Sequence, residues 1–533
     1  MSPKKYTGSF YTPPYIADFV VKRVAEKLDG RTLKILEPSA GDGVFIRALS
    51  RSDRIRFNVD KLFAVEISAA EAEKISAEND LNKLEVICND FLEFQSELTD
   101  FDFNLVIGNP PYIKRNYLSD RQIELSAKIH ASYPELSKNT VKNIWSAFLV
   151  RSIRLLADDG VLALVLPAEL LQVKYAKELR ELLLNQFQRV EVFTFNELLF
   201  HECKGQDTLI LIAEKKSTAP GLFFCNVENL KDLGKSPSRL KLNHHKALDS
   251  LKWTSHTLTS SERRLLEQLA KNLPTINDVC FSRTGIVTAA NNFFILNKAE
   301  IERLSLVKYA KPIIQKSSIV DASVVFCSKK LNALFETNTP CFLLDLNEKG
   351  VEENRILQDY LFEGTSRQIH LRYKMLSRKL WFQVPNIGTP APALFFKRCH
   401  DYPKFIKNEA TALATDSAYL VNSRDGFDIN SIIHSFYNSL TLAFAELNGR
   451  YYGGGVLELT PSEFKGLPIP YVSITNSQFS KFALNFDNKD SIEKICLKYD
   501  EFILKHSFPN ITYEQIEQLR RIRNKLSIRR HRL

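Results

Sequence analysis

The chain has 533 residues, 44% apolar and 25% charged, with a formal charge of +10. It is too long for a usual single domain and too apolar for a disordered or fibrous chain. Its eight cysteines form no CxxC pair and no His/Cys cluster at zinc spacing, which argues against a disulfide scaffold or a structural metal. The start lacks the apolar core of a signal peptide, and no run approaches the ~18 apolar residues of a membrane span.

Taken in chain order, the first 215 residues alternate strand-like and helix-like segments. Leu33–Leu36 reads as a strand, followed by a Gly-containing turn and a helix from about Val44. Leu62–Glu66, Leu84–Ile87 and Phe103–Ile107 read as the next three strands. Trp145–Leu156 has helical periodicity, with Phe148, Leu149, Ile153 and Leu156 along one side. Asp158-Asp159-Gly160 turns into the strand Val161–Leu166, and Val190–Phe193 and Thr208–Ala213 close the set. Such alternation implies a doubly wound α/β sheet.

The polar stretch Glu214–Gly221 reads as a domain boundary, with a connector over 221–275. From 276 to 475 the chain is aromatic-rich with short β-like runs such as Ala393–Phe396 and Tyr419–Val421. Residues 476–533 are helical in pattern and end in a basic run, from Arg520 to Arg532. That run is either a grip for phosphates or a solvated tail.

The turns at the strand ends carry chemistry. Glu37-Pro38-Ser39-Ala40-Gly41-Asp42-Gly43 opens a helix with two acids and no lysine. This disfavours a phosphate cradle and suits a cationic or hydroxyl-bearing ligand. Glu66 ends the second strand, where a carboxylate can take ribose hydroxyls, and Asp90 follows the third, where it can accept from an amino group. After the fourth strand comes Asn109-Pro110-Pro111-Tyr112. Proline ends a strand because it donates no ladder hydrogen bond. The Asn109 side-chain oxygen and the Pro110 carbonyl can both accept from an amino group, and the Tyr112 ring can stack on a planar one. Singly, each feature has a plain structural reading: a connecting turn, a solvated strand end, a buried turn aromatic. Their joint order is specific.

In that order the chain resembles the S-adenosylmethionine-dependent adenine-N6 DNA methyltransferases, in the group whose cofactor motifs precede the catalytic motif. The resemblance implies a Rossmann-like methyltransferase sheet over residues 1–220 and a C-terminal mixed α+β DNA-recognition domain. It implies that Gly8–Pro14, with Thr12, lies over the methionine end of the cofactor. Glu37, Ser39, Ala40, Gly41, Asp42 and Gly43 would contact the methionine part, Glu66 and Ile67 the ribose and adenine, and Asp90 and Phe91 the adenine. Phe148 would pack on that adenine, and Asn109 would reach both cofactor and target. Asn109, Pro110 and Tyr112 are the implied catalytic residues, with Tyr112 and Phe200 stacking on an extruded target base. The acidic turn then faces a sulfonium and an ammonium. Gly285–Phe294 and Gly453–Pro470 look like segments recurring in the recognition domains of such enzymes, or else are tight turns.

The implied partner is double-stranded DNA, with a separate cognate restriction endonuclease as a further one, in the cytoplasm of a prokaryotic cell and with no membrane. With the cofactor motif beginning near residue 8, no N-terminal nuclease domain is expected. The rival readings are the same clamp acting on RNA or on a protein glutamine, and a non-catalytic DNA-binding subunit.

Overall fold

Alternate residues of each central strand face opposite sides of one sheet, and both sides are apolar. In the computed structural model, Leu33 and Ile35, Leu62 and Ala64, and Val161, Ala163 and Val165 pack with helices Pro14–Ala25 and Val44–Arg51. Leu36, Phe63, Val65, Leu162, Leu164 and Leu166 pack on the other side with helices Trp145–Leu155 and Lys177–Gln186. Strands buried on both faces are what a parallel sheet between two helical layers requires.

The structure describes residues 11–28, 30–56, 58–78, 83–93, 98, 102–137, 141–195, 197, 199, 207–234, 240–245, 253–347, 354–452 and 455–531. Contacts divide the chain into one unit built from the residues up to Thr257 and another over Leu258–Tyr451 and Gly455–His531.

The first unit is a nine-stranded sheet. Its strands are β1 (Leu33–Glu37), β2 (Val59–Glu66), β3 (Leu84–Cys88), β4 (Phe103–Gly108), β5 (Leu156–Pro167), β6 (Arg189–Phe195), β7 (Thr208–Glu214), β8 (Gly221–Val227) and β9 (Asn243–His245), in the order 3-2-1-4-5-7-6-8-9. Strands β3, β2, β1, β4 and β5 are parallel, and β7 runs antiparallel between β5 and β6. The chain winds from β1 out to β3, then returns to place β4 on the other side of β1. That reversal opens a crevice at the C-terminal ends of β1 and β4.

Three expectations are corrected. The stretch at 214–221 is a turn inside the sheet: Gly221 to Val227 pair in parallel with Arg189 to Phe195, and β9 adds outside β8. Gly221–Val227 and Asn243–His245 thus extend the first sheet, while helix Ser260–Ala270 falls in the second unit. Asp158-Asp159-Gly160 lies within a bulged β5, because Phe103 pairs with Leu156 while Leu105 pairs with Val161. Leu156 opens that strand instead of closing the helix.

The second unit holds a five-stranded sheet with Ala393–Phe396 at its centre, flanked by Lys404–Asn408 and Ala418–Ser423. Phe395, Phe405, Phe436 and Phe464 fill the core between this sheet and its helices. A four-stranded sheet includes Ala310–Ile314 and Phe342–Leu344. The C-terminal residues form helices Asn476–Asp487, Ile492–Ser507 and Tyr513–His531 within this same unit.

The basic run is neither a tail nor a phosphate grip along its whole length. Arg520 pairs with buried Asp500 at 2.8 Å, Arg523 pairs with Glu493, and Arg530 holds Glu446 through two bonds of 2.8 and 2.9 Å. Arg520 and Arg530 are interior because each finds a buried carboxylate there, and Arg523 reaches the exposed Glu493.

Candidate active site

A cavity of 360 Å³ opens at the crevice between β1 and β4, a size suited to a small ligand. Its wall carries the ends of four strands: Glu37 from β1, Glu66 from β2, Asn89 and Asp90 after β3, and Asn109 after β4. Thr12, Ser39, Ala40, Gly41, Asp42, Ile67, Phe91 and Phe148 also line it.

The β1 turn is shaped by glycine. Gly41 and Gly43 have φ of 54° and 78°, a left-handed conformation that disfavours any side chain. Gly43 does not line the cavity. It precedes helix Val44–Arg51 and packs on Ile75, so its part is to set the turn. Asp42 pairs with Arg47 at 3.1 Å and accepts weakly from the Val44 N–H at 3.3 Å.

Glu66 ties two strand ends together. Its carboxylate accepts from the Gly41 N–H and the Ser68 N–H, both at 2.8 Å. A carboxylate has about four acceptor positions, so this one can still take hydroxyl groups. Asp90 accepts from the Leu92 N–H at 2.9 Å, and burial raises its pKa. Beside it, Phe91 lies 5.1 Å from Phe148, with the Arg151 guanidinium 4.9 Å from the Phe91 ring. This end of the cavity is a layered aromatic wall.

Glu37 is the least satisfied group of the site. Its side chain has 0% exposure, and neither carboxylate oxygen has a hydrogen-bond partner among the described residues. Burial, then the charges of Asp42 and Glu66, push its pKa well above the ordinary value, against the opposing pull of Arg47. An unpaired buried carboxylate is costly unless a donor or cation meets it.

Asn109 is held on both sides. Its Nδ2 donates to Thr12 Oγ1 at 3.1 Å, and its Oδ1 accepts from the Tyr112 hydroxyl at 2.8 Å. Its backbone carbonyl accepts from Ser39 Oγ at 3.1 Å. The structure differs from expectation at the next residues. Tyr112 is 7% exposed and packed in the core, and its hydroxyl also reaches Val165 O at 3.0 Å. Its ring therefore offers no open face in this structure. Pro110 is buried, and Pro111 lines the cavity in its place. Phe200 and Gly8–Phe10 lie outside the described residues.

Sequence reasoning missed several lining residues. Tyr11 lies against Gly41, and Gln122, Ile113 and Ile144 complete the wall. Gln122 comes from helix Asp120–His130, where it also closes a capping box with Ser119. Ile113 and Ile144 meet because Lys114 and Asn143 form a β-bridge and the Ile144 N–H donates to Ile113 O. Tyr11 belongs to the Gly8–Pro14 motif that the resemblance already set over the cofactor, with only Thr12 singled out in it; the others had no local signal.

Fold and cavity together define a Rossmann-like methyltransferase. Residues 47–200 match the family model described as Eco57I restriction-modification methylase, and residues 250–504 match that of the Type II methyltransferase M.Eco57I C-terminal domain. The Type II methyltransferase M.AccI of Acinetobacter calcoaceticus is 25% identical, over 94% of this chain and 93% of its own. M.XamI of Xanthomonas campestris pv. amaranthicola is 24% identical, over 87% and 85%. The Type IIL restriction-modification enzyme MmeI, solved in complex with DNA, shares the fold with a TM-score of 0.63 at 13% identity, over 99% of this chain and 80% of that one. Along most of its length the chain is similar to restriction-modification DNA methyltransferases.

The methyl donor is S-adenosylmethionine, and the residues present fit it. An acidic cavity with an unpaired Glu37 suits a ligand bearing an ammonium and a sulfonium and no phosphate. Glu66 has acceptor capacity for ribose hydroxyls, and Phe91 and Phe148 provide an apolar wall for a purine.

Proposed function

We propose that this chain is a site-specific adenine-N6 DNA methyltransferase, acting on an adenine extruded from duplex DNA in the cytoplasm of a prokaryotic cell. It would be the modification partner of a separate restriction endonuclease. The observation that carries this reading is the position of Asn109: a side-chain amide at the switch point of the sheet, on the wall of the cofactor cavity and next to two prolines.

Adenine N6 is a weak nucleophile because its lone pair is delocalised into the ring. Asn109 Oδ1 and the Pro110 carbonyl accept its two hydrogens, which favours a tetrahedral nitrogen with a localised pair. Acceptors placed where positive charge develops act by electrostatic preorganisation, and fixing the line of attack adds proximity. When bound, S-adenosylmethionine supplies an electrophilic methyl group on its sulfonium. Asn109 and Pro110 would hold the amino nitrogen in line with that methyl group, and the surplus nitrogen proton would pass to solvent after transfer.

The Tyr112 hydroxyl has one proton and two acceptors, Asn109 Oδ1 and Val165 O. Turning that proton toward Val165 releases the Tyr112 bond to Oδ1, while Thr12 keeps the amide oriented through Nδ2. Tyr112 and Phe200 remain the assigned platforms for the base, and for Tyr112 this requires the ring to leave its core packing. Extruding the base is needed because its amino group cannot be reached inside a duplex.

Purified protein with labelled S-adenosylmethionine should yield labelled N6-methyladenine in duplex DNA. Label confined to RNA or protein would refute the substrate. Asn109→Ala should reduce transfer by at least a hundredfold while cofactor affinity stays within a fewfold, as for loss of a charge-stabilising group. Undiminished turnover would remove Asn109 from the mechanism.

A further inference from the structure

From Gly364 to His400 the sequence has no Asp or Glu and carries seven cations: Arg367, Arg372, Lys374, Arg378, Lys379, Lys397 and Arg398. Within this stretch, two short helical turns, Ile369–Leu371 and Tyr373–Leu376, carry large apolar side chains into solvent. Tyr373 is 86% exposed, Leu376 67% and Leu371 55%. Arg372, Lys374 and Lys379 are exposed beside them.

These turns are rigidly seated. Ile369 and Met375 are buried in an aromatic core with Phe293 and Phe294. Arg378 donates to Val287 O and Thr288 O at 3.2 and 2.9 Å, and Arg372 donates to Ala289 O at 3.1 Å. The brace is the Gly285–Phe294 segment, whose part the sequence left open between recognition and a tight turn. Gly364 is fixed by the same packing, since a Cβ there would lie 2.5 Å from the Trp381 ring.

Arg367, Lys397 and Arg398 pair with Glu363, Asp416 and Glu458, whereas Arg372, Lys374 and Lys379 stand exposed beside apolar side chains held outward on a braced support, and such a patch is a binding surface. Its charge selects a polyanion, and its apolar tips suit the sugar and base edges within a groove. We infer that residues 367–379 are a DNA-contacting element of this chain, with Lys374 and Lys379 on phosphates and Leu371, Tyr373 and Leu376 within a groove. The inference rests on the proposed action on DNA and assigns it a surface.

The test uses the full-length protein with duplex DNA carrying its methylation site, titrated across salt concentrations. Cofactor affinity serves as the check on folding. Lys374→Ala with Lys379→Ala should weaken binding and lower the slope of log K against log salt by about two. Tyr373→Ala should weaken binding roughly tenfold with an unchanged slope, as for loss of one stacking or apolar contact. Wild-type affinity and slope in both variants would overturn the element and leave methylation of DNA standing. Loss of binding to anionic lipid vesicles, with DNA binding unaffected, would reassign the surface to membranes. A wild-type protein that neither binds nor methylates duplex DNA would overturn the reading of the whole enzyme, and the element with it.

Discussion

Glu37 joins the electrostatics of the cavity to its ligand. Its carboxyl is neutral over a wider pH range than usual, because burial and the neighbouring Asp42 and Glu66 oppose its charge. A cationic ligand favours the carboxylate, so binding must release a proton. The sign follows: in the empty protein the raised pKa contributes stability at low pH that fades as pH rises, whereas cofactor affinity grows as pH rises above the ordinary carboxylate range. Calorimetric titration of S-adenosylmethionine in buffers of different ionisation enthalpy should count that proton, and Glu37→Gln should remove most of the release and weaken binding. An unchanged proton count in the variant would place the linkage elsewhere, with Asp90 the next group to test. Tyr112→Phe isolates another single group. Deleting the hydroxyl removes the proton that competes with the substrate for Asn109 Oδ1, so kcat should hold or rise while the cofactor Kd stays put; a roughly tenfold fall would mean that the hydroxyl, and not Thr12 alone, orients the amide.

At the scale of elements, the helix Pro14–Ala25 is fastened to the far side of the sheet by charge. Arg23 and the following Lys27 reach Glu191 of β6 at 2.8 and 2.9 Å, and Arg189 joins at 2.6 Å. Glu191 is fully buried. Although burial itself raises its pKa, the bonds from Arg23 and Lys27 outweigh that and hold it down at about 2. A lowered carboxylate pKa contributes stability at neutral pH that is lost as pH falls from about 4.5 toward about 2. Glu191→Ala would leave three cations beside an empty place, costing about 3–5 kcal/mol. Chemical denaturation should show that loss at pH 7 and a much smaller one near pH 2; equal losses would mean that packing dominates. The same helix follows Thr12, so its anchorage also steadies the wall of the cavity.

At the scale of the whole molecule, positive charge divides into two populations. One is structural: Arg530 is buried against Glu446 and also donates to Asp401 O at 2.8 Å. Arg530→Ala should cost about 3–5 kcal/mol of stability, with little change in the salt slope of DNA binding. A lowered slope with stability intact would return the terminal run to the phosphate-gripping role. The other population is exposed, as at Arg372, Lys374 and Lys379. A net charge of +10 does not separate the two, because burial and pairing do not appear in composition.

The sequence by itself determined the order of strands and the identities at their ends. Runs such as Phe103–Gly108 are apolar enough to be buried, and a glycine turn or a proline pair has to end a strand. Those are local properties, so Glu37, Glu66, Asp90 and Asn109 could be assigned to one sheet edge from spacing alone. What depends on distant partners was not legible. Gly221–Val227 became a strand of the first sheet only through its pairing with Arg189–Phe195. Tyr112 turned its hydroxyl to Asn109 and Val165 because the strand β5 lies beside it. Arg520 and Arg530 of the last helix went inward because buried Asp500 and Glu446 were waiting there, and Arg523 because Glu493 caps it from the surface. Local sterics and hydrophobicity write themselves along the chain, whereas burial, register and the pairing of charges are settled only when remote segments meet.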